Sequence, residues 1–316
     1  VETSDGIGTA AGPAVVRASG LAKRWGSTLV FEGASFTIGK GVTGLLGSNG
    51  AGKTTLLGMI LGLHAPDDGR LEVLGHDPRT AGPEIRARIG YSPEHHTLPP
   101  DLRAHDLVTY VAKVHGLPHR EAVTRASDAL WQVGLGEERY RAIGTMSTGQ
   151  RQRVKLAQAI AHDPDLVLLD EPTDGLDPVQ REEILALIRR VGSEYGIDIL
   201  LSSHLLDEVE RICDSVVILG DGAVRASGAI DSLLGGSSGV VAELDRDAAR
   251  VIAALRALGW DASGAGHLLS VTVDDPARLG QALDALRDIV ANLGVGLVAL
   301  SPRRRTLEQV FLGGDQ

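Results

Sequence analysis

Two stretches of this 316-residue chain combine residue types and spacing suited to phosphate chemistry. The first is Gly47-Ser48-Asn49-Gly50-Ala51-Gly52-Lys53-Thr54, continued by Thr55. It has the form G-x-x-x-x-G-K-[ST], which wraps nucleotide phosphates where it follows a strand and opens a helix. Glycines let the backbone take left-handed angles, so successive N–H groups can turn inward toward anionic oxygens. A helix N-terminus adds partial positive charge at the same point. Lys53 is expected to reach the β- and γ-phosphates, and the Thr54 hydroxyl to ligate Mg²⁺, making ATP and Mg²⁺ the implied ligands. The competing reading is an ordinary glycine-rich turn.

The second stretch is Leu166-Val167-Leu168-Leu169-Asp170-Glu171. An apolar strand ending in two carboxylates suits packing poorly, because a buried carboxylate is costly without a partner. Asp170 is expected to hold Mg²⁺, directly or through water. Glu171, one residue beyond the strand, can then polarise a water for in-line attack on the γ-phosphate. Taken alone, the Asp-Glu pair could simply cap the turn that follows.

These motifs need a scaffold, and the apolar pattern supplies one. Val42–Leu46, Leu166–Leu169 and Ile199–Leu201 are uninterrupted apolar runs of strand length, as parallel strands covered on both faces require. Thr54–Leu63 predicts a helix with Leu57, Ile60 and Leu61 on one face. Ile184, Leu187, Ile188 and Val191 recur at helical spacing between the last two strands. This is an α/β core with a mostly parallel sheet. Residues from about 92 to 161 interrupt the alternation and predict a helical insertion. Val216–Leu219 and Ala223–Ser227 flank Gly220-Asp221-Gly222, a hairpin signal.

The chain divides into three expected parts. Residues 1–13 lack periodicity and predict a disordered tail, 14–234 the ATPase domain, and 235–316 a small α+β accessory domain. Gly235-Gly236-Ser237-Ser238-Gly239 has a linker's composition. Beyond it come a strand near Val240–Leu244 and a helix with Val251, Leu255 and Leu258. A strand pair ending at Leu269–Val273 follows, then a helix with Leu279, Leu283, Leu286, Val290 and Leu293, then a strand over Val295–Leu300.

Composition narrows the function. The chain is 43% hydrophobic and 23% charged, the balance of a globular protein. A formal net charge of −10 argues against nucleic acid as the main partner, since that affinity comes from Lys and Arg on phosphates. The single cysteine, Cys213, fits a reducing compartment. No run approaches the ~20 apolar residues needed to span a bilayer, and no signal peptide is visible. A cytosolic location is expected, with any membrane association through a partner.

With these motifs the chain resembles the ABC (ATP-binding cassette) ATPase family, from about residue 15 to 232. The discriminating segment is Met146-Ser147-Thr148-Gly149-Gln150, which is similar to the family's signature loop, although Thr148 stands where Gly is usual. The resemblance implies that Ser147, Thr148, Gly149 and Gln150 press on the γ-phosphate held by a second subunit. It further implies a D-loop at Asp174-Gly175-Leu176-Asp177, with Asp177 communicating across the dimer, and a catalytic switch histidine at His204 that contacts the γ-phosphate. Trp25 takes the place of the adenine-stacking aromatic. Glu94, in Tyr91-Ser92-Pro93-Glu94, occupies a position where the family usually has Gln, and its carboxylate points to metal sensing. A histidine after a strand and an aromatic near the N-terminus also have ordinary structural readings. His95 and His96 read as a solvated pair, and Arg303-Arg304-Arg305 as a solvated turn.

One phosphate loop and one signature per chain imply a head-to-tail dimer, either a homodimer or a heterodimer with another ABC subunit. The resemblance implies an ATPase, peripheral on the inner face of the cell membrane. It would power export of a drug, natural product or lipid through a separate transmembrane permease. Thr306-Leu307-Glu308-Gln309-Val310-Phe311-Leu312 adds to the likeness to the export branch. The alternatives are an importer motor and a soluble ABC ATPase of translation or DNA maintenance.

Overall fold

The computed structural model describes residues 14–95, 97–234, 238–273, 275–303 and 306–308. The expected tail, His96, linker residues 235–237, Arg304, Arg305 and 309–312 lie outside them. The chain forms two units, one running to Ala229 and the other from Ile230.

The first unit begins with β1 (Val16–Trp25) and β2 (Thr28–Ile38), an antiparallel pair joined through Gly26, whose φ of 59° is left-handed. Leu21, Phe31 and Phe36 are among the residues it buries. β3 (Val42–Leu46) is buried at every position and leads to α1 (Lys53–Ile60). This helix is shorter than the expected 54–63, because Gly62 takes a left-handed φ of 67° and closes it. β4 (Asp68–Val73) pairs with β1 to complete a sheet ordered β2-β1-β4.

Next come α2 (Gly82–Ala87) and β5 (Ile89–Ser92). The helices α3 (Ala104–Val114), α4 (His119–Gln132) and α5 (Thr148–Ile160) then occupy the expected insertion. Among the described residues of 93–103 there is no helix, which suits Pro93, Pro99 and Pro100: proline lacks the N–H and disfavours helical backbone before it. α5 lies against β5 at backbone contact, since a Cβ on Gly90 would collide with the Ala159 carbonyl oxygen.

The remainder of the unit is β6 (Leu166–Asp170), α6 (Pro178–Tyr195), β7 (Asp198–Ser203), α7 (Leu206–Ile212), β8 (Ser215–Gly220) and β9 (Ala223–Ala229). The large sheet has the order β5-β6-β7-β3-β8-β9, with parallel pairing throughout except at the β8–β9 hairpin. Register places Asp170 beside Ser202, and Leu46 beside Ser203. The carboxyl ends of β6, β7 and β3 are therefore adjacent, and in such sheets ligands bind beyond the strand ends.

The second unit contains α8 (Ile230–Leu234), β10 (Ser238–Leu244), α9 (Ala248–Ala257), β11 (Asp261–Ala265), β12 (Leu268–Val273), α10 (Leu279–Leu293) and β13 (Leu297–Arg303). Its antiparallel sheet is ordered β11-β12-β10-β13. Val251 and Leu255 of α9 and Leu286 of α10 share a core with Val240, Leu269 and Val271. Leu258 departs from expectation: it follows the end of α9 and is exposed, because the helix stops before its next inward turn.

Candidate nucleotide site

The loop after β3 is shaped by its glycines. Gly50 and Gly52 have φ of 86° and 98°, and a Cβ on Gly52 would meet Val30 and Phe31. Gly52 caps α1 without a side-chain hydrogen bond, and the helix has no acidic residue in its first turn. The N-terminal amides and their partial positive charge thus face the loop without an acidic residue of the helix itself to compete.

Lys53 is buried. Its Nζ donates to the Gly47 carbonyl at 2.8 Å and lies 3.1 Å from Glu171 Oε1. The Thr54 hydroxyl donates to Asp170 Oδ2 at 3.1 Å, while Ser202 Oγ donates to Asp170 Oδ1 at 2.6 Å. The Glu171 N–H in turn donates to Ser202 Oγ at 2.9 Å. His204 Nδ1 is 2.9 Å from Glu171 Oε2. Glu171 itself has φ 48°, left-handed backbone that costs a non-glycine residue on the order of 1 kcal/mol. That geometry breaks the strand at the position where the carboxylate is needed.

A cavity of about 470 Å³ gathers most of the expected residues. Trp25, Ser48, Asn49, Gly50, Gly52, Lys53, Thr54, Thr55, Glu94, Asp170, Glu171 and His204 all line it, joined by Val30 and Asp174. Gly47 and Ala51 do not line it; Gly47 contributes the carbonyl that holds Lys53. Trp25 is 46% exposed, so its indole is available to a ligand rather than part of the core. Lys23 Nζ sits 4.7 Å from its ring centroid, and His64 meets it edge-on at 4.9 Å.

Glu94 is paired with His95, Nε2 lying 3.2 Å from Oε1, and its carbonyl accepts from Lys155 Nζ at 3.0 Å. His95 is thus tied to a residue of the cavity, a contact for which only adjacency in sequence gave a signal. The Tyr91 hydroxyl is pushed up to about 12 by burial, reinforced by the Asp170 and Glu94 carboxylates.

Two expected elements stand apart from this cavity. Ser147 caps α5: its Oγ accepts from the Gln150 N–H at 3.2 Å, and Gln150 Oε1 accepts from the Ser147 N–H at 3.0 Å. Thr148 Oγ1 accepts from Arg151 at 3.2 Å. Thr148 begins the helix and Gly149 is its second residue. Asp177 caps α6 by accepting from the Gln180 N–H at 2.9 Å, with Pro178 in the first helical turn. None of these five residues lines the cavity.

The oxygen donors Thr54 and Asp170 suit a hard cation. Among the described residues no three His, Cys, Asp or Glu groups converge as a cage. Mg²⁺ commonly uses one or two carboxylates and completes its shell with water and substrate phosphate, so this sparse set fits it. Ser202, which holds both Asp170 and Glu171, was not among the expected residues. Its neighbourhood follows from β7 lying beside β6, which strand runs in sequence do not reveal.

Residues 31–174 match the protein-family model described as ABC transporter. The chain is 32% identical over 303 residues to the linearmycin resistance ATP-binding protein LnrL of Bacillus subtilis (strain 168), covering 94% of this chain and 97% of that protein. The chain belongs to the ABC transporter family. As an ABC ATP-binding protein it binds ATP and is an ATPase. This ABC chain is also 34% identical over 279 residues to the methionine import ATP-binding protein MetN of Mesorhizobium japonicum (strain LMG 29417 / CECT 9101 / MAFF 303099), covering 86% of this chain and 76% of that protein. Its fold is that of a solved ATP-binding subunit of an ABC transporter, with 30% identity and a TM-score of 0.60 over 69% of this chain and 91% of the other.

Proposed function

We propose that this ABC ATPase dimerises head to tail and powers export of a drug, natural product or lipid through a separate membrane-spanning permease. The observation that carries the export reading is the match to a resistance subunit over nearly the whole of both chains, second unit included. The match to the methionine import subunit leaves about a quarter of that protein uncovered, yet keeps an importer motor as the second reading. Among the described residues no helix is long and apolar enough to cross a membrane, and in this reading the path for cargo belongs to a partner.

The chemistry follows from the cavity. Lys53 and the α1 amides bind and orient the phosphates, and Trp25 offers its indole to the adenine. Thr54 and Asp170 would hold Mg²⁺, with Glu94 facing the same cavity as a sensor of the metal. When bound, Mg²⁺ supplies charge neutralisation at the β- and γ-phosphate oxygens. Glu171 accepts the proton of the attacking water, and His204 orients its carboxylate. Ser147 and Asp177 stand outside this chain's own cavity, which suits contact with the nucleotide of a second copy, the homodimer being the simplest arrangement. Binding closes the pair, and loss of the γ-phosphate releases it. The protein would then sit on the inner face of the membrane through its permease.

Affinity capture of the full chain from native membranes in mild detergent tests this reading. Co-purification of a protein with several transmembrane helices supports it, and transport direction in reconstituted vesicles separates export from import. Recovery with ribosomes or DNA, or alone, would overturn the transporter role while leaving the ATPase.

A further inference from the structure

Behind the hydrolytic pair lies a carboxylate that the chemistry above does not use. Glu208 of α7 is 0% exposed. Its Oε2 accepts from Thr173 Oγ1 at 2.9 Å and from Ser203 Oγ at 3.0 Å. Its Oε1 lies 3.3 Å from Arg181 Nε of α6, an ion pair without the alignment of a hydrogen bond. Burial pushes the Glu208 carboxyl up, opposed by the two hydroxyls and by Arg181, with Asp207 adding to the rise.

The position of these partners gives the carboxylate its meaning. Thr173 lies two residues after Glu171, and Ser203 immediately precedes His204. Ser203 Oγ also accepts from the Leu205 N–H at 3.0 Å, so it pins the chain on both sides of His204. Both loops of the Glu171–His204 pair are therefore tied to one oxygen atom. If α7 only needed to fill space here, an apolar residue would do so without burying a charge, as Val209 and Ile212 do nearby. Glu171 also holds a left-handed backbone that its own residue type disfavours, which persists only where the surroundings enforce it.

We propose that Glu208 is a positioning residue for ATP hydrolysis, its buried carboxylate setting the Glu171–His204 distance by holding the two loops that carry them. This rests on the reading of Glu171 as the base. Glu208 does not line the cavity; it acts through Thr173 and Ser203.

The test compares steady-state ATPase kinetics, ATP affinity and thermal melting of the full-length chain with those of Glu208→Ala, Glu208→Gln, Ser203→Ala and Thr173→Val. Misplacing a catalytic group by an ångström can cost up to about 100-fold, so Glu208→Ala should lower kcat by at least about 10-fold with KM for ATP within about two-fold. Glu208→Gln keeps an oxygen that both hydroxyls can reach and should recover most of that loss. Ser203→Ala and Thr173→Val each remove one tie, and should lower kcat alone by several-fold; they decide the matter if Glu208→Ala does not fold. Wild-type kcat in every folded variant overturns the proposal, as does a loss that merely follows the folded fraction. Glu171→Gln is measured in parallel. If it keeps turnover, the base reading fails; if it loses turnover while the Glu208 variants do not, only the positioning role fails.

Discussion

The Glu171 carboxylate lies 3.1 Å from the Lys53 ammonium, and both groups are buried. A γ-phosphate drawn to Lys53 must compete with Glu171 for the same cation, so the side chain proposed as the base also opposes binding. Glu171→Gln removes the competitor and the proposed base together. We expect turnover to fall by roughly 10²–10⁴ while ATP binds at least as tightly as before. Equilibrium nucleotide binding beside single-turnover hydrolysis checks this, and equal losses in both would sink the assignment.

Ser147 combines a structural task with a proposed functional one, and substitution can separate them. Ser147→Ala removes the cap on α5 and should lower stability by about 0.5–2 kcal/mol. Ser147→Asp keeps an acceptor for the Gln150 N–H but places a negative charge where the partner's phosphate is proposed to sit. It should melt close to the parent and yet lose at least about 10-fold in ATPase, since a charge directed at phosphate is repelled by several kcal/mol. An active, stable Ser147→Asp chain would leave Ser147 as a helix cap only.

His162 gives a pH dependence remote from the cavity. Its ring stacks on His115 at a centroid distance of 3.7 Å, and its Nε2 is 3.3 Å from the Ile89 carbonyl. Burial, with His115 adding to it, lowers His162 from 6.5 to about 4 against the smaller pull of the Ile89 carbonyl and Asp163. The unfolded chain therefore takes up this proton before the native one does. The contribution of neutral His162 is complete above about pH 6.5 and drains away as pH falls toward 4. Between pH 7.5 and 5 the parent should lose about 2 kcal/mol more than His162→Gln, measured by urea unfolding at both values. Equal losses would show that the imidazole is not held neutral.

Much of the cavity was legible because its chemistry is local in sequence. Lys53 and Thr54 follow their glycines directly, and Asp170 and Glu171 end a visible apolar run. The links between distant segments were not. Ser202 meets Asp170 only because β7 lies next to β6, and Glu208 reads as an unremarkable acid on an amphipathic helix until the Thr173 and Ser203 hydroxyls converge on it. Helix ends were also misjudged: Gly62 closes α1, and Leu258 fell beyond α9, because one residue's backbone conformation overrode the apolar period. The capping hydrogen bonds of Ser147 and Asp177 depend on the helices that follow them, whose starting residues the apolar pattern does not mark.

With no side chain between Gly90 and the Ala159 carbonyl, α5 has a fixed point near its C-terminal end. Its 13 residues span about 20 Å, so Ser147 lies at the opposite end of the helix from that contact. Lys155, partway along, grips the carbonyl of Glu94. The helix that Ser147 caps is thereby joined, through Lys155, to the segment that carries Glu94 into the cavity.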